Sequence, residues 1–288
     1  MAHDMQVISS VQDMQRLADS IRRSGKRIGV VPTMGYLHDG HLSLIRIARQ
    51  HSDTVVTTIF VNPTQFAPDE DFKRYPRDLQ RDLGLCESVG TDVVFAPDVA
   101  SIYPNGYKTF IDVEKVTRML EGKSRPSHFR GVATIVAKLF NIVKPHVAVF
   151  GQKDAQQAVV IKQMAKDLDF DVEIIIGPTV REPDGLAMSS RNAYLSSEER
   201  GDAVVLSESL RAAGELILSG EPDCGRIIKA MHSLIKAKPT VKIDYISVAD
   251  ALTLEELHEL RKGDRVLISL AVWFGRTRLI DNSILAIQ

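Results

Sequence analysis

Two rhythms of apolar residues alternate along the first 180 positions. Short apolar, β-rich runs at residues 28–31, 54–61, 93–95, 147–150 and 172–176 read as strands. Most are continuous rather than alternating, which predicts strands covered on both faces. Between them the period is helical. Val132, Ile135, Val136, Leu139, Phe140 and Val143 form one stripe, and Leu44, Ile45 and Ala48 form part of another. Repeated βα units predict a parallel sheet with right-handed crossovers. Ligands of such sheets bind outside the carboxyl ends of the strands.

Near residue 180 the pattern changes. Ser196 and Glu199 have the spacing of a capping box and predict a long helix running toward Ser219. Pro222 predicts the start of another helix, and residues 241–248, 265–272 and 279–285 read as strands. The expected fold class is α/β: a Rossmann-like parallel sheet over residues 1–179, then a second, smaller α+β domain over residues 180–288. Tandem repeats and low-complexity tracts are absent.

Composition narrows the range of functions. With 44% hydrophobic and 25% charged residues, a chain of 288 residues can bury a sizeable core without disulfide or metal staples. The formal net charge of -1, spread along the chain, argues against a nucleic-acid or anionic-membrane partner. No segment approaches the ~18 uninterrupted apolar residues of a membrane helix, and residues 1–11 lack the pattern of a secretory signal. Cys86 and Cys224 lie far apart, outside any Cys-x-x-Cys pattern, and are expected to be free thiols. The expected location is cytoplasmic.

The chemistry concentrates where strands end. After the first buried run comes Pro32-Thr33-Met34-Gly35-Tyr36-Leu37-His38-Asp39-Gly40-His41. A helix beginning here offers unpaired N–H groups and a positive dipole end, which favour phosphate. His38 and His41 can share one helix face, and Gly40 permits close approach of a ligand to the backbone. On its own a His-x-x-His pair is more often two surface histidines; its place directly after a buried strand favours a nucleotide. Neither a Gly-x-x-x-x-Gly-Lys-Ser/Thr loop nor a Gly-x-Gly-x-x-Gly turn follows a strand.

Three further segments complete the set. Phe60-Val61-Asn62-Pro63-Thr64-Gln65-Phe66 ends the second run; Gln65 can hydrogen-bond a hydroxyl or a carboxylate, although Asn62-Pro63 alone would also be read as a tight turn. Gly151-Gln152-Lys153-Asp154 follows the fourth run; Lys153 offers a point charge for phosphate, and Asp154 either reaches ribose hydroxyls or caps a helix. Gln156 and Gln157 come next, and the plain reading of each is an exposed helix residue. Ala187-Met188-Ser189-Ser190-Arg191-Asn192 supplies two hydroxyls and a guanidinium fork, and in isolation it is an ordinary polar loop.

His38-Asp39-Gly40-His41 resembles the HIGH motif of the nucleotidyl-transferase superfamily, and Met188-Ser189-Ser190-Arg191 resembles its KMSKS loop, with Ala187 where lysine usually stands. Together with Tyr75-Pro76-Arg77 and His128-Phe129-Arg130-Gly131, the ordered segments resemble the pantothenate synthetase family over nearly the whole chain. The resemblance implies a cytoplasmic homodimer that joins pantoate to β-alanine with ATP as a substrate, through a pantoyl adenylate. It implies an ATP site of Met34, Gly35, Tyr36, Leu37, His38, Asp39, Gly40, His41, Gly151, Gln152, Lys153, Asp154, Val180, Met188, Ser189, Ser190 and Arg191. Gln65 and Gln157 would hold pantoate, with Gln65 also near β-alanine. His41 matches the proton donor, and Asp82 matches an aspartate contacting Mg2+, which would bridge the β- and γ-phosphates. His38, His41, Lys153, Ser189, Ser190 and Arg191 are the candidates for catalytic counter-charge. The rival readings are a nucleotidyltransferase that keeps AMP in its product, an aminoacyl-tRNA ligase, which the missing basic surface disfavours, and a non-catalytic nucleotide sensor.

Overall fold

The computed structural model describes residues 5–68 and 70–288. They form two compact units. The first comprises residues up to Gly151 together with Val160–Pro178, and the second comprises Gln152–Val159 together with Thr179–Gln288.

The N-terminal unit holds six parallel strands: β1 (Gln6–Ile8), β2 (Ile28–Thr33), β3 (Thr54–Ile59), β4 (Val93–Phe95), β5 (Val147–Gly151) and β6 (Glu173–Gly177). Their order across the sheet is β1-β4-β3-β2-β5-β6. Helices α1 (Val11–Arg23), α2 (Asp39–His51), α3 (Leu79–Ser88), α4 (Val99–Ile102), α5 (Glu121–Ser124), α6 (His128–Val143) and α7 (Ala155–Asp167) connect them. Apolar residues of α1, α6 and the later turns of α7 form one core with the sheet, including Met14, Val136, Phe140 and Ile161. Leu44, Ile45 and Ala48 of α2 and Cys86 of α3 form another core with Val31, Val55, Val94 and Val149. Two-sided covering explains why β2 to β5 are written as continuous apolar runs. The edge strand β1 carries no such run and is mostly exposed, so the hydrophobic pattern gave no sign of it.

Chain order reverses beside β2. The chain steps outward through β3 and β4, then returns to place β5 on the other side of β2. The carboxyl ends of β2 and β5 are therefore neighbours at the switch point, where open α/β sheets place their ligands.

The C-terminal unit holds an antiparallel sheet of β7 (Val241–Asp250), β8 (Arg265–Phe274) and β9 (Thr277–Ala286), in that order. Helices α8 (Ser197–Ala203), α9 (Val205–Leu218) and α10 (Cys224–Lys236) accompany it, and Leu206, Leu210, Ile227, Met231, Ile268 and Phe274 share its core. Both members of the Ser196/Glu199 capping box are formed. The single long helix expected after it is two, because the helical ladder lapses at Val204 while the backbone stays helical (φ -58°, ψ -25°). Pro222 does not start α10. Asp223 does, its carboxylate accepting the N–H groups of Gly225 and Arg226, and Cys224 is the first helical residue. Residues 152–159 group with this unit rather than with residues 1–151. Hydrogen bonds from β9 to Gln152 and Lys153 account for that segment.

Among the described residues, no helix is long and apolar enough to cross a membrane. Both cysteines are free and buried, and burial pushes each thiol up to about 11. Phe95, fully buried in β4, anchors the first core. Phe95→Ala is expected to destabilise the N-terminal unit by about 3–5 kcal/mol, read as a lower urea midpoint; a loss below about 1 kcal/mol would show that the site collapses around the missing ring.

Candidate active site

The loop leaving β2 is held by a buried carboxylate. Gly35 (φ 79°) and Tyr36 (φ 51°) both lie in the left-handed region. That conformation suits glycine and costs a tyrosine roughly 1–2 kcal/mol. Asp82, 1% exposed on α3, accepts the N–H groups of Tyr36 at 2.7 Å and Leu37 at 2.8 Å, which offsets the strain. A side chain at Gly35 would meet the same carboxylate at 3.0 Å. Desolvation raises the Asp82 carboxyl above its ordinary value, against the lowering effect of those two hydrogen bonds.

Beyond the loop, His38 is the N-cap of α2. The N–H of Gly40 donates to His38 Nδ1 at 3.2 Å, and the N–H of His38 donates to His41 Nδ1 at 3.3 Å. This is a capping box built from two histidines. Because both Nδ1 atoms accept, each neutral ring carries its proton on Nε2. The rings lie with centroids 4.1 Å apart at the start of a helix, where the dipole favours an anion. Two N–H donors on such rings can serve phosphate oxygens.

Gln65, 8% exposed, closes the 3-10 turn Pro63–Gln65 after β3. Asn62 orients it. Asn62 Nδ2 donates to Gln65 Oε1 and to the carbonyl of Gly131, each at 3.1 Å, while Asn62 Oδ1 accepts from the hydroxyls of Tyr103 at 2.8 Å and Thr64 at 2.9 Å. Gln65 Nε2 is thereby turned toward Met34 Sδ, a weak acceptor 3.1 Å away that a hydroxyl or carboxylate would readily replace. The main chain is gripped as well. His128 donates its Nδ1–H to the Gln65 carbonyl at 2.9 Å, and Arg125 Nη2 donates to it at 3.3 Å. Arg125 is itself held by a two-point pair with Glu70 at 2.6 and 2.7 Å. Gly131 lets α6 come this close, since a side chain there would overlap the Thr64 carbonyl at 2.4 Å.

Further residues of the expected ATP site belong to the C-terminal unit. Gln152, Lys153 and Asp154 form a 3-10 turn and are partly exposed. Gln157 is partly exposed on the first turn of α7, whereas Gln156, read from sequence as exposed, is buried. The N–H of Met188 donates to the Val180 carbonyl at 3.0 Å, and Arg181 and Ala187 form an antiparallel bridge. Ser189 then caps the 3-10 helix Ser190–Tyr194 by accepting the N–H of Arg191. Asn192 clamps the base of this loop, donating to Glu182 and to the Ala187 carbonyl at 3.1 Å each.

Within the first unit, then, the structure joins Met34 to Gln65, His38 to His41, and Asp82 to Tyr36 and Leu37. Within the second it joins Val180 to Met188. Asp82 does not fit the magnesium contact that the family resemblance implies, because it is sealed from solvent and each oxygen already receives a loop N–H. Among the described residues, no group of three or more His, Cys, Asp or Glu side chains could hold a metal ion. Sequence reading assigned no role to Arg125, His128, Asp281 or Asn282, and gave Asn62 only that of a turn residue. The signals were the Phe60–Phe66 and His128-Phe129-Arg130-Gly131 segments, in which Asn62 and His128 stood without an evident chemical task.

The six-stranded parallel sheet and the three-stranded antiparallel sheet, taken with the family match, are those of an α/β ligase. Residues 6–284 match the family described as pantoate-beta-alanine ligase, and the chain belongs to that family. It is 58% identical to the pantothenate synthetase of Acetivibrio thermocellus, over 98% of this chain and 100% of that one. The crystal structure of pantothenate synthetase from Thermus thermophilus superposes with a TM-score of 0.91 at 44% identity, covering 97% of this chain and 99% of the other. The pantoate-beta-alanine ligase of Francisella tularensis, solved as a complex with β,γ-ATP and β-alanine, gives 0.80 at 36% identity, with 97% of each chain covered.

The grip on Gln65 carries a pH signature. Burial, with Arg125 nearby, pulls His128 from 6.5 down to about 4, against the opposing effects of the Gln65 carbonyl, Glu121 and Glu70. A depressed histidine means that the unfolded chain binds the extra proton first, so stability falls as pH drops from 6.5 toward about 4 and levels off below. The predicted loss is about 3 kcal/mol. Subtracting the stability of His128→Gln from that of the wild type at each pH isolates it; a difference independent of pH would show that His128 is not buried neutral.

Proposed function

We propose that the protein condenses pantoate with β-alanine at the expense of ATP, through a pantoyl adenylate. The observation that carries this reading is the histidine capping box on α2, at the carboxyl end of β2 and beside that of β5. Family membership and the nucleotide and β-alanine bound by the Francisella tularensis relative support it.

A carboxylate oxygen of pantoate attacks the α-phosphorus of ATP. The bond to the β-phosphate breaks and pyrophosphate leaves. The free amine of β-alanine then attacks the acyl carbonyl, the bond to AMP breaks, and the nitrogen sheds a proton as the amide forms. Charge builds on phosphate oxygens in the first step, so fixed donors matter most. His38 and His41 present Nε2–H groups to those oxygens, with His41 as the proton donor. Lys153, Ser189, Ser190 and Arg191 supply the remaining counter-charge. Met34, Gly35, Tyr36, Leu37, Asp39, Gly40, Gly151, Gln152, Asp154, Val180 and Met188 line the nucleotide. Gln65, with its amide pre-oriented by Asn62, and Gln157 hold pantoate, and Gln65 also lies near β-alanine.

Magnesium, if it arrives with the triphosphate, would supply counter-charge to the leaving pyrophosphate. Asp82 instead holds the loop that presents His38. A Rossmann-like nucleotide- and pantoate-binding domain at residues 1–179, with a smaller C-terminal α+β lid domain at 180–288, is part of the same proposal. So are a homodimer and a cytoplasmic location, which rest on the family resemblance.

The deciding experiment is isotope exchange between pyrophosphate and ATP with β-alanine omitted. Exchange is expected only when pantoate is present; product formation with no such exchange would rule out the adenylate. His41→Ala and Lys153→Ala are each expected to slow adenylate formation by at least ~10²-fold in single turnovers, the size of losing one positioned donor. Wild-type rates in either variant would remove that residue from the mechanism.

A further inference from the structure

Lys153 lies on a short 3-10 turn, and its long side chain carries about 2 kcal/mol of rotamer entropy. A cation that must meet a phosphate at one spot therefore depends on a fixed backbone beneath it. That support comes from the far end of the chain. Asn282, 6% exposed on β9, donates both Nδ2 hydrogens to consecutive carbonyls, those of Gln152 at 3.1 Å and Lys153 at 2.8 Å. Its Oδ1 accepts from Gln152 Nε2 at 2.9 Å. Two carbonyls on one side fix which way the amide faces. Three points on two successive residues leave the turn little freedom to rotate.

Asn282 is itself anchored. Its N–H donates to Asp281 Oδ1 at 2.8 Å, and β9 is paired along its length to β8, with Asn282 opposite Ser269. Asp281 is 1% exposed and binds Arg181 at 2.6 and 3.0 Å. Arg181 opens the hairpin that leads to Met188, so the same stretch of β9 also steadies the base of the Ser189–Arg191 loop. Neither Asp281 nor Asn282 has a reactive role of its own in the proposed chemistry.

We infer that Asn282 is a positioning residue for the ligase reaction, holding the Gln152–Lys153 backbone so that the Lys153 ammonium meets the nucleotide phosphates. This rests on the role given to Lys153 above. A residue acting through Lys153 has nothing left to position once that ammonium is gone, whereas a residue that only supports the fold keeps its effect.

The test is a double-mutant cycle in the full-length enzyme, with kcat and KM for ATP and for pantoate measured at each corner. Asn282→Ala is expected to lower kcat about 10-fold, a smaller effect than removing the cation, with KM for pantoate unchanged. The double variant Asn282→Ala/Lys153→Ala is expected to match Lys153→Ala within about 2-fold. Should Asn282→Ala fail to fold, the isosteric Asn282→Asp keeps the acceptor, loses both donors and carries the same expectation. A wild-type rate in the Asn282 variant, or independent losses that multiply in the double variant, overturns the inference. Lys153→Ala at the wild-type rate would overturn it together with the role of Lys153; a slowed Lys153→Ala beside an unaffected Asn282 variant overturns it alone.

Discussion

A parallel sheet sealed by helices on both faces leaves polar chemistry one place to gather, the row of loops at the carboxyl ends of its strands. β2, β3, β4 and β5 bury almost every residue, so nothing along their length can meet a charged ligand. The reversal of order makes β2 and β5 neighbours within the sheet. The His38/His41 cap leaves one of these strands, and the chain runs directly from the other into the Lys153 turn.

A loop that must hold reactive groups still cannot be left to its own preferences. Each candidate segment is clamped by a buried or half-buried polar side chain that has no evident reactive task. Asp82 holds the strained Gly35-Tyr36 step, Asn62 and His128 hold Gln65, and Asn282 holds Gln152 and Lys153. Such bonds add only about 0.5–1.5 kcal/mol each to net stability, yet leaving one buried partner unpaired costs about 1–3 kcal/mol. That asymmetry makes them better at enforcing one geometry than at stabilising the fold. Ion pairs stand behind two of these clamps, Arg125–Glu70 and Arg181–Asp281.

Asp82 shows how the structure redirects an assignment. Its position in the chain, six residues after Pro76, matched a metal-contacting aspartate of the family. Its surroundings belong to loop support, because burial and two backbone donors occupy both oxygens. Gln65 stands out in the sequence for amide chemistry at the end of a strand, and in the structure its Nε2 faces the weak acceptor Met34 Sδ.

By itself the sequence determined what local spacing can encode. The buried strands are written as short β-rich, mostly apolar runs, α6 as a periodic stripe, and two helix starts as residues three apart, Ser196/Glu199 and His38/His41. Only tertiary structure decided which distant side chains hold those segments still. Asp82 meets Tyr36 across 46 positions, His128 meets Gln65 across 63, and Asn282 meets Gln152 across 130. A hydrogen bond needs only proximity and direction, and a chain that folds back supplies both without leaving any periodic mark in the order of its residues.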